Sequence, residues 1–406
     1  MKSFKINKKS NLNVLEIGYG NGSFLEYANS KGWNITGVEL NHELYESAKA
    51  KGFKVVIGYG EDGDANLKLL KQKGFKIKHI PMHRKSINLF NELKTIFCIW
   101  NFFKKEKPDI VHLVTIKPYL YGGIISRIIR VPCLVSAISG LGTLFISKDF
   151  RIRTLRSLLY PIYKMTFNHS NQIVIIQNKS DLKTLVNWGV LNLSKIRLIK
   201  GSGVKLENFI NPDEPKGETI VCFAARLLRD KGVYDFISAA RLLKKKGVRA
   251  RFLLAGELDQ NNASGLNFDE YNELKKENSV EFLGYKDNVP ELYAKSHIIC
   301  LPSYREGLPK SLIEAAAASR AIVTTDVPGC RDAIIPNKTG LLVPAKDPLK
   351  LADALNWLIE HPKERIFMGK EGRKFAEKEF RIKKIVHEHL DIYQQLIDKK
   401  SKIILS

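Results

Sequence analysis

Ser303-Tyr-Arg-Glu-Gly-Leu-Pro-Lys-Ser-Leu-Ile-Glu314 is the stretch from which the rest of this chain is read. It holds two glutamates, Glu306 and Glu314, eight positions apart. An apolar strand, His297-Ile-Ile-Cys-Leu301, precedes it, and a helix is expected to begin near Pro309. Proline suits a first helical turn because its missing N–H would be unpaired there in any case. Glu306 therefore falls in the loop and Glu314 one to two turns inside the helix. Such a helix start offers free backbone N–H groups and the positive end of a dipole, a site for a phosphate. A carboxylate on the loop and another on the helix would then hold hydroxyls at the two ends of a nucleotide-sugar. The plainer alternative is two surface glutamates flanking a helix start.

Outward from this stretch, short β-branched runs alternate with helical patterns, the sign of parallel α/β architecture. In the first half strands are expected at 14–18, 35–40, 54–59, 75–80, 109–115, 133–139, 172–176 and 196–200. In the second half they are expected at 219–224, 250–255, 280–283, 297–301, 321–325 and 340–343, with helices notably at 233–246, 309–319, 348–360 and 383–398. The polar stretch Asn208–Gly217, with two prolines, reads as a linker. Two doubly wound domains facing each other across a cleft follow, with ligands at the carboxyl ends of the strands.

The length of 406 residues allows two domains of ordinary size, and 44% hydrophobic with 27% charged residues describes a globular chain. The net charge of +24 admits several partners. No zinc-finger spacing, RNP-like motif or long basic run supports nucleic acid. A basic face on anionic lipid or a grip on diphosphates accounts for the charge, as do solvated lysines. Five scattered cysteines without a CxxC give neither a disulfide framework nor a zinc site. The start lacks the apolar core of a signal peptide, and no run approaches the ~18 apolar residues that cross a bilayer. The expectation is a cytoplasmic protein that touches the inner face of the cell membrane.

In the second half, strand 219–224 ends in Ala225-Arg226-Leu-Leu-Arg-Asp-Lys231-Gly232. Arg226 at the strand end and Lys231 at the helix entry would neutralise a diphosphate; the alternative is two surface charges at a turn. Together with Glu306 and Glu314 this arrangement resembles the Arg-x4-Lys pair and the Glu-x7-Glu signature of retaining glycosyltransferases of the family 4 type, which have the GT-B fold. The resemblance implies Glu306 on the donor sugar, Glu314 on the ribose, and Gly307, Leu308, Ser202 and Gly203 in the donor site. Phe282-Leu-Gly-Tyr285 resembles the family's base-binding turn, and Gly201-Ser-Gly-Val204 and Thr325–Ile334 match further segments. Two departures stand out: Lys205 where the family often has Asp, and Asp332 where Glu is usual.

Residues from about 64 to 395 are similar to bacterial group 1 glycosyltransferases that add N-acetylgalactosamine or similar sugars to undecaprenyl-diphosphate-linked acceptors. Pro108–Pro118 and Ser136–Gly142 carry this likeness. Many members have a histidine near Ile138-Ser139-Gly140, which this chain lacks; His112 is the candidate to fill its place, with a histidine packed inside the domain as the alternative. The resemblance implies a UDP-sugar as co-substrate, a polyprenyl-diphosphate-linked acceptor, no cofactor and no metal. It also implies front-face attack with retention, so that leaving-group charge is the main burden. Asp62-Gly-Asp64 has DxD form but lacks a third ligand nearby and is not read as a metal site.

The front end differs. Val14-Leu-Glu-Ile-Gly18-Tyr-Gly20-Asn-Gly22, followed by Ile35-Thr-Gly-Val-Glu39, reads as a strand, a glycine turn, a helix and an acidic residue ending the next strand. It resembles the start of class I S-adenosylmethionine-dependent methyltransferases. Gly18, Gly20, Gly22 and Glu39 form its possible nucleotide loop, and no catalytic half follows. The expected organisation is thus a methyltransferase-like segment at 1–62 completing the first sheet, the remainder of an acceptor-side domain at 63–204, a nucleotide-sugar domain at 205–380, and a last helix at 381–406 crossing back. The rival readings are an S-adenosylmethionine-dependent methyltransferase and an inactive hybrid that binds nucleotide. Finally, Ile87–Lys105 is aromatic with basic flanks, and Phe150–Tyr160 mixes Arg with apolar residues. Both would dock on an anionic membrane surface, although the first, apolar all round, also reads as a buried helix.

Overall fold

The two six-stranded sheets are all parallel, and apolar, β-branched runs such as Cys133–Ile138, Gln172–Ile176 and Ala321–Thr325 are buried on both faces, as crossover helices require. A computed structural model describes residues 13–17, 34–36, 56–59, 76–82, 88–141, 145, 150–210, 213–259, 262, 264–276 and 278–405. The chain divides into two units: residues 1–176, 182–199 and 386–406 form the first, and 177–181 with 200–385 the second.

The first unit contains β1 (Asn13–Ile17), β2 (Asn34–Thr36), β3 (Val56–Tyr59), β4 (Lys76–His79), β5 (Ile110–Val114), β6 (Cys133–Ile138), β7 (Gln172–Ile176) and β8 (Ile196–Leu198). Its main sheet runs β2-β1-β5-β6-β7-β8, while β3 and β4 pair separately. β1 lies between β2 and β5, with Val14 opposite Ile110 and Ile17 opposite Leu113. The helices are α1 (Leu89–Glu106), α2 (Ile116–Ile128), α3 (Phe150–Thr166) and α4 (Lys179–Asn187), whose first three residues cluster with the second unit. α1 buries Thr95, Ile99, Phe102 and Phe103 but leaves Leu89, Phe90, Leu93 and Phe97 exposed. It is thus one-sided rather than buried all round.

The second unit holds β9 (Ile220–Ala224), β10 (Arg251–Ala255), β11 (Glu281–Gly284), β12 (Ile298–Leu301), β13 (Ala321–Thr325) and β14 (Gly340–Val343). Its helices are α5 (Val233–Lys245), α6 (Phe268–Lys276), α7 (Val289–Ala294), α8 (Lys310–Ala317), α9 (Pro348–Glu360) and α10 (Pro362–Glu379). The order β11-β10-β9-β12-β13-β14 reverses direction between β9 and β12, which pair through Val221–Ile298 and Cys222–Ile299. Crevices for ligands open at the carboxyl ends of strands at such a reversal. α8 ends two residues before the expected Ser319, because that residue takes φ +57° and cannot continue a right-handed helix.

The stretch expected as a linker is held on the second unit instead. Arg320 donates to the Asp213 carbonyl at 2.8 Å, and Arg365 pairs with Glu214 at 2.9 Å. The division between the units falls at Ile199/Lys200. A last helix, α11 (Ile382–Leu405), starts in the second unit, and from Val386 onward its residues belong to the first. There Tyr393 is fully buried and the Leu396 carbonyl accepts from Asn171 Nδ2 at 2.9 Å. Cys133, Cys222, Cys300 and Cys330 are buried, and burial pushes the Cys222 and Cys330 thiols up to about 12. Among the described residues no helix is long and apolar enough to cross a membrane.

Candidate nucleotide-sugar site

The reversal between β9 and β12 brings two turns together, and their glycines permit the approach. After β9 the chain turns through Arg229–Lys231 to Gly232. Gly232 has φ +77°, and a Cβ on it would stand 2.1 Å from the Pro302 carbonyl oxygen at the end of β12. No other residue fits there. The Tyr304 amide donates to the Asp230 carbonyl at 2.8 Å, tying the turns further. The result is an ion pair between Lys231 and Glu306, two residues 75 positions apart, with 21% and 11% of their side chains exposed. Ser303 Oγ donates to the same Glu306 oxygen at 2.7 Å. Thr325 Oγ1 in turn bonds the Ser303 carbonyl from the end of β13.

A third turn closes the far side. The Glu306 amide donates to the Pro328 carbonyl at 3.2 Å. Gly329, at φ +81°, packs so closely that a Cβ would meet the Glu306 carbonyl oxygen at 2.5 Å. Asp332 accepts from the Gly329 amide at 3.3 Å, so the shorter carboxylate at this position holds the turn that backs Glu306.

Glu314 occupies the fifth position of α8 and lines a cavity of about 170 Å³ with Ala225, Arg226, Gly256, Tyr285, Tyr293 and Ser311 among its walls. Pro309 stands one residue before the helix, in extended conformation, with no side-chain cap on the helix start. Burial raises the Glu314 pKa above the usual carboxylate range, and Lys310, 3.5 Å away and half exposed, opposes the shift. Arg226 is 47% exposed and paired with Asp259. The two cations expected on a diphosphate thus stand at the two ends of one turn, each beside a carboxylate.

Gly307 and Leu308 follow Glu306 and are buried, Leu308 within the hydrophobic core of the unit. Ser202 and Gly203 sit just before Val204, which is bridged to Arg381: the Val204 amide donates to the Phe380 carbonyl at 2.8 Å and Ile382 donates back at 3.0 Å. His112 lies in the interior of the first unit, 3% exposed on β5, with Nδ1 2.6 Å from the Tyr393 hydroxyl. Burial, then the His389 charge, holds its pKa well below the usual value. Gly18, Gly20, Gly22, Glu39 and the Asp62–Asp64 loop lie outside the described residues. Among the described residues no group of three His, Cys, Asp or Glu is placed to hold a metal.

Sequence reading missed a clamp on the loop that carries Glu306. Asn178 Nδ2 donates to the Gly307 carbonyl at 3.0 Å, and Arg305 pairs with buried Asp181 at 2.6 Å. Asn178 Oδ1 also accepts from the Asp181 amide at 2.8 Å. The only signal was an Asn-x-x-Asp run after a strand, which reads as an ordinary helix cap.

A family profile described as Glycosyl transferases group 1 matches residues 204–375, and one described as Glycosyl transferase 4-like matches residues 34–178. The second begins inside the stretch that resembles a methyltransferase start. The chain is similar to the N,N'-diacetylbacillosaminyl-diphospho-undecaprenol alpha-1,3-N-acetylgalactosaminyltransferase of Campylobacter jejuni, at 29% identity over 81% of this chain and 88% of that protein. It is also similar to the UDP-Gal:alpha-D-GlcNAc-diphosphoundecaprenol alpha-1,3-galactosyltransferase of Escherichia coli, at 23% identity over 79% and 84%. Among solved structures, a glycosyltransferase from Rickettsia africae superimposes with a TM-score of 0.72 at 17% identity, over 96% of this chain and 99% of that one.

Proposed function

Since the chain belongs to the group 1 glycosyltransferases, with the GT-B fold, we propose that it moves a hexosamine-type sugar from a UDP-sugar to a polyprenyl-diphosphate-linked saccharide, with retention at the anomeric carbon. The observation that carries this reading is the Lys231–Glu306 pair at the β9/β12 reversal, with the Glu314 cavity beside it. Glu306, held by Ser303, is the acceptor for sugar hydroxyls. Lys231 and Arg226 meet the diphosphate, and the charge that grows on it as the sugar leaves is what they stabilise. Glu314 takes the ribose hydroxyls. Gly307, Leu308, Ser202 and Gly203 supply backbone around the donor. Each cation is neutralised by a carboxylate in the free protein, so the ligand's phosphates replace Glu306 and Asp259 as partners. No metal is assigned a part.

The acceptor class comes from the two relatives, whose names specify undecaprenyl-diphosphate-linked saccharides. A lipid-linked acceptor places the enzyme at the cytoplasmic face of a membrane, and α3 supports that placement. Its 17 residues include no acidic one, bury only Tyr163 and Thr166, and expose Phe150, Leu155, Leu158, Ile162 and Met165 beside Arg153 and Lys164. The pairing of β1 with β2 and β5 in the first sheet supports Asn13–Ile17 and Asn34–Thr36 as structural parts of the acceptor-side unit rather than of a separate methyl-transfer site. His112, packed against Tyr393, is assigned a structural part and no contact with substrate.

The test is turnover. UDP-N-acetylgalactosamine and UDP-galactose are offered with an undecaprenyl-diphosphate-linked disaccharide, and product is followed by mass spectrometry and anomeric NMR. Glu306→Gln is expected to lower kcat by about 10²-fold or more, on the scale of losing one preorganised polar contact in the transition state. An inverted product, or no dependence on Glu306, would sink the reading.

A further inference from the structure

One residue that lines the cavity beside Glu314 has a hydroxyl without a hydrogen-bond partner. Tyr293, on α7, is fully buried and lines that cavity. Its oxygen is enclosed and has no hydrogen-bond partner. Buried polar groups in native proteins are nearly always satisfied, so an exception deserves an explanation. Glu314 is near enough to act on the Tyr293 hydroxyl electrostatically, second only to burial in raising its pKa. In the free protein Glu314 leans instead on Lys310, at 3.5 Å on the outer side.

The charged and titratable groups around Glu314 come from five places. Lys310 is on its own helix and Tyr293 on α7, while Arg226 follows β9, Glu257 follows β10, and Tyr285 and Lys286 follow β11. Arg226 is turned to Asp259, and Lys310 is half exposed and therefore screened. Of these groups only Tyr293 is an enclosed donor without a partner. A protonated carboxyl has less capacity to accept from a diol than a carboxylate. The buried acid thus needs a donor on its protein side if it is to meet ribose hydroxyls in its charged form.

We propose that Tyr293 is a positioning residue for the nucleotide site: its hydroxyl donates to Glu314 when that carboxyl ionises, and so keeps a carboxylate ready for the ribose. The inference rests on reading this site as nucleotide-binding. Tyr293 acts through Glu314 and touches no reacting atom.

Tyr293→Phe removes the oxygen and keeps the ring. Binding of UDP-N-acetylgalactosamine, whose diphosphate keeps its charge through this range, is measured by calorimetry across the acid side of neutrality. Affinity should fall as pH drops through the Glu314 pKa, and in Tyr293→Phe that fall should begin about one pH unit higher. On the acid limb the variant is then about tenfold weaker, as expected for losing one bond to a charged group, and the two curves converge at high pH. Glu314→Gln should lack the acid limb altogether, which keeps the idea testable should Tyr293→Phe fail to fold. Superimposable curves, a loss equal at every pH, or an acid limb that survives in Glu314→Gln would each overturn the proposal while leaving the nucleotide site standing. A wild-type protein that binds no UDP-sugar at any pH would remove the site itself, an outcome the wild-type curve shows without any variant.

Discussion

At Glu314 the proposed ligand binding is set against stability. Its pKa is raised chiefly by burial, with Lys310 pulling the other way. A carboxyl whose folded pKa lies above its unfolded value binds its proton more tightly in the native state. Its contribution to stability is therefore largest below the unfolded value and declines as pH rises through the folded one. Glu314→Gln is neutral at every pH and should melt higher than wild type near neutrality, by about 2–4 °C for a gain of about 1 kcal/mol in a unit of this size. The gap should close in acid, while affinity for the UDP-sugar falls. A lower melting temperature at neutral pH would mean the carboxylate is a stabilising group and not one kept for a ligand. Both glutamates were legible as flanking a helix start, from the apolar strand before them and Pro309 between them. Tyr293 was not, since an aromatic in Glu-Leu-Tyr-Ala reads as core, and only the enclosure of its oxygen separates it from a packing residue.

α3 is long for what it buries. Helices of this length usually draw most of their stability from an apolar face packed on a core, yet here two side chains of 17 are buried and five large apolar ones are exposed. Apolar residues interleaved with Arg151, Arg153 and Arg156, and no acid, match the surface of an anionic bilayer. Reversing two charges, Arg153→Glu with Arg156→Glu, should cut binding to vesicles of mixed phosphatidylglycerol and phosphatidylcholine at least about tenfold, at roughly 1 kcal/mol for each basic residue near the surface. Added salt should weaken the wild type in the same direction. Binding unchanged by the reversal would turn attention to the exposed face of α1. The strands were read within one or two residues over most of the described chain, because runs such as Ile298–Leu301 and Ala321–Thr325 are buried on both sides and carry the pattern continuously. Helix ends were read less well. Backbone geometry at Ser319 stops α8, and nothing in the run of alanines before it announces that.

Two units with separate cores need not respond alike to a ligand bound in one of them. The proposed donor site draws all its described residues from the second unit. In scanning calorimetry a UDP-sugar at about 100 times its Kd should raise the second unit's transition by the equivalent of about 2.7 kcal/mol. Glu314→Gln should abolish most of that shift. A shift that persists undiminished in the variant would place the nucleotide elsewhere.

Much about this protein follows from its string of residues alone: parallel α/β architecture in two halves, the cations after one strand and the glutamates after another, and the basic stretch at 150–160. These are local properties, written in apolar runs, glycines and spacing, and they hold whatever the rest of the chain does. Which strands neighbour one another is not local. A strand buried on both faces looks the same beside any partner, so nothing in Ile220–Ala224 or Ile298–Leu301 says that they pair. Tertiary pairing of β9 with β12 is what carries Gly232 onto Pro302 and Lys231 onto Glu306. The same packing supplies Asn178 and Asp181 to the loop from more than a hundred residues away, and encloses the Tyr293 hydroxyl beside Glu314. Enclosure and long-range pairing belong to no single segment, and for that reason only the folded chain could decide them.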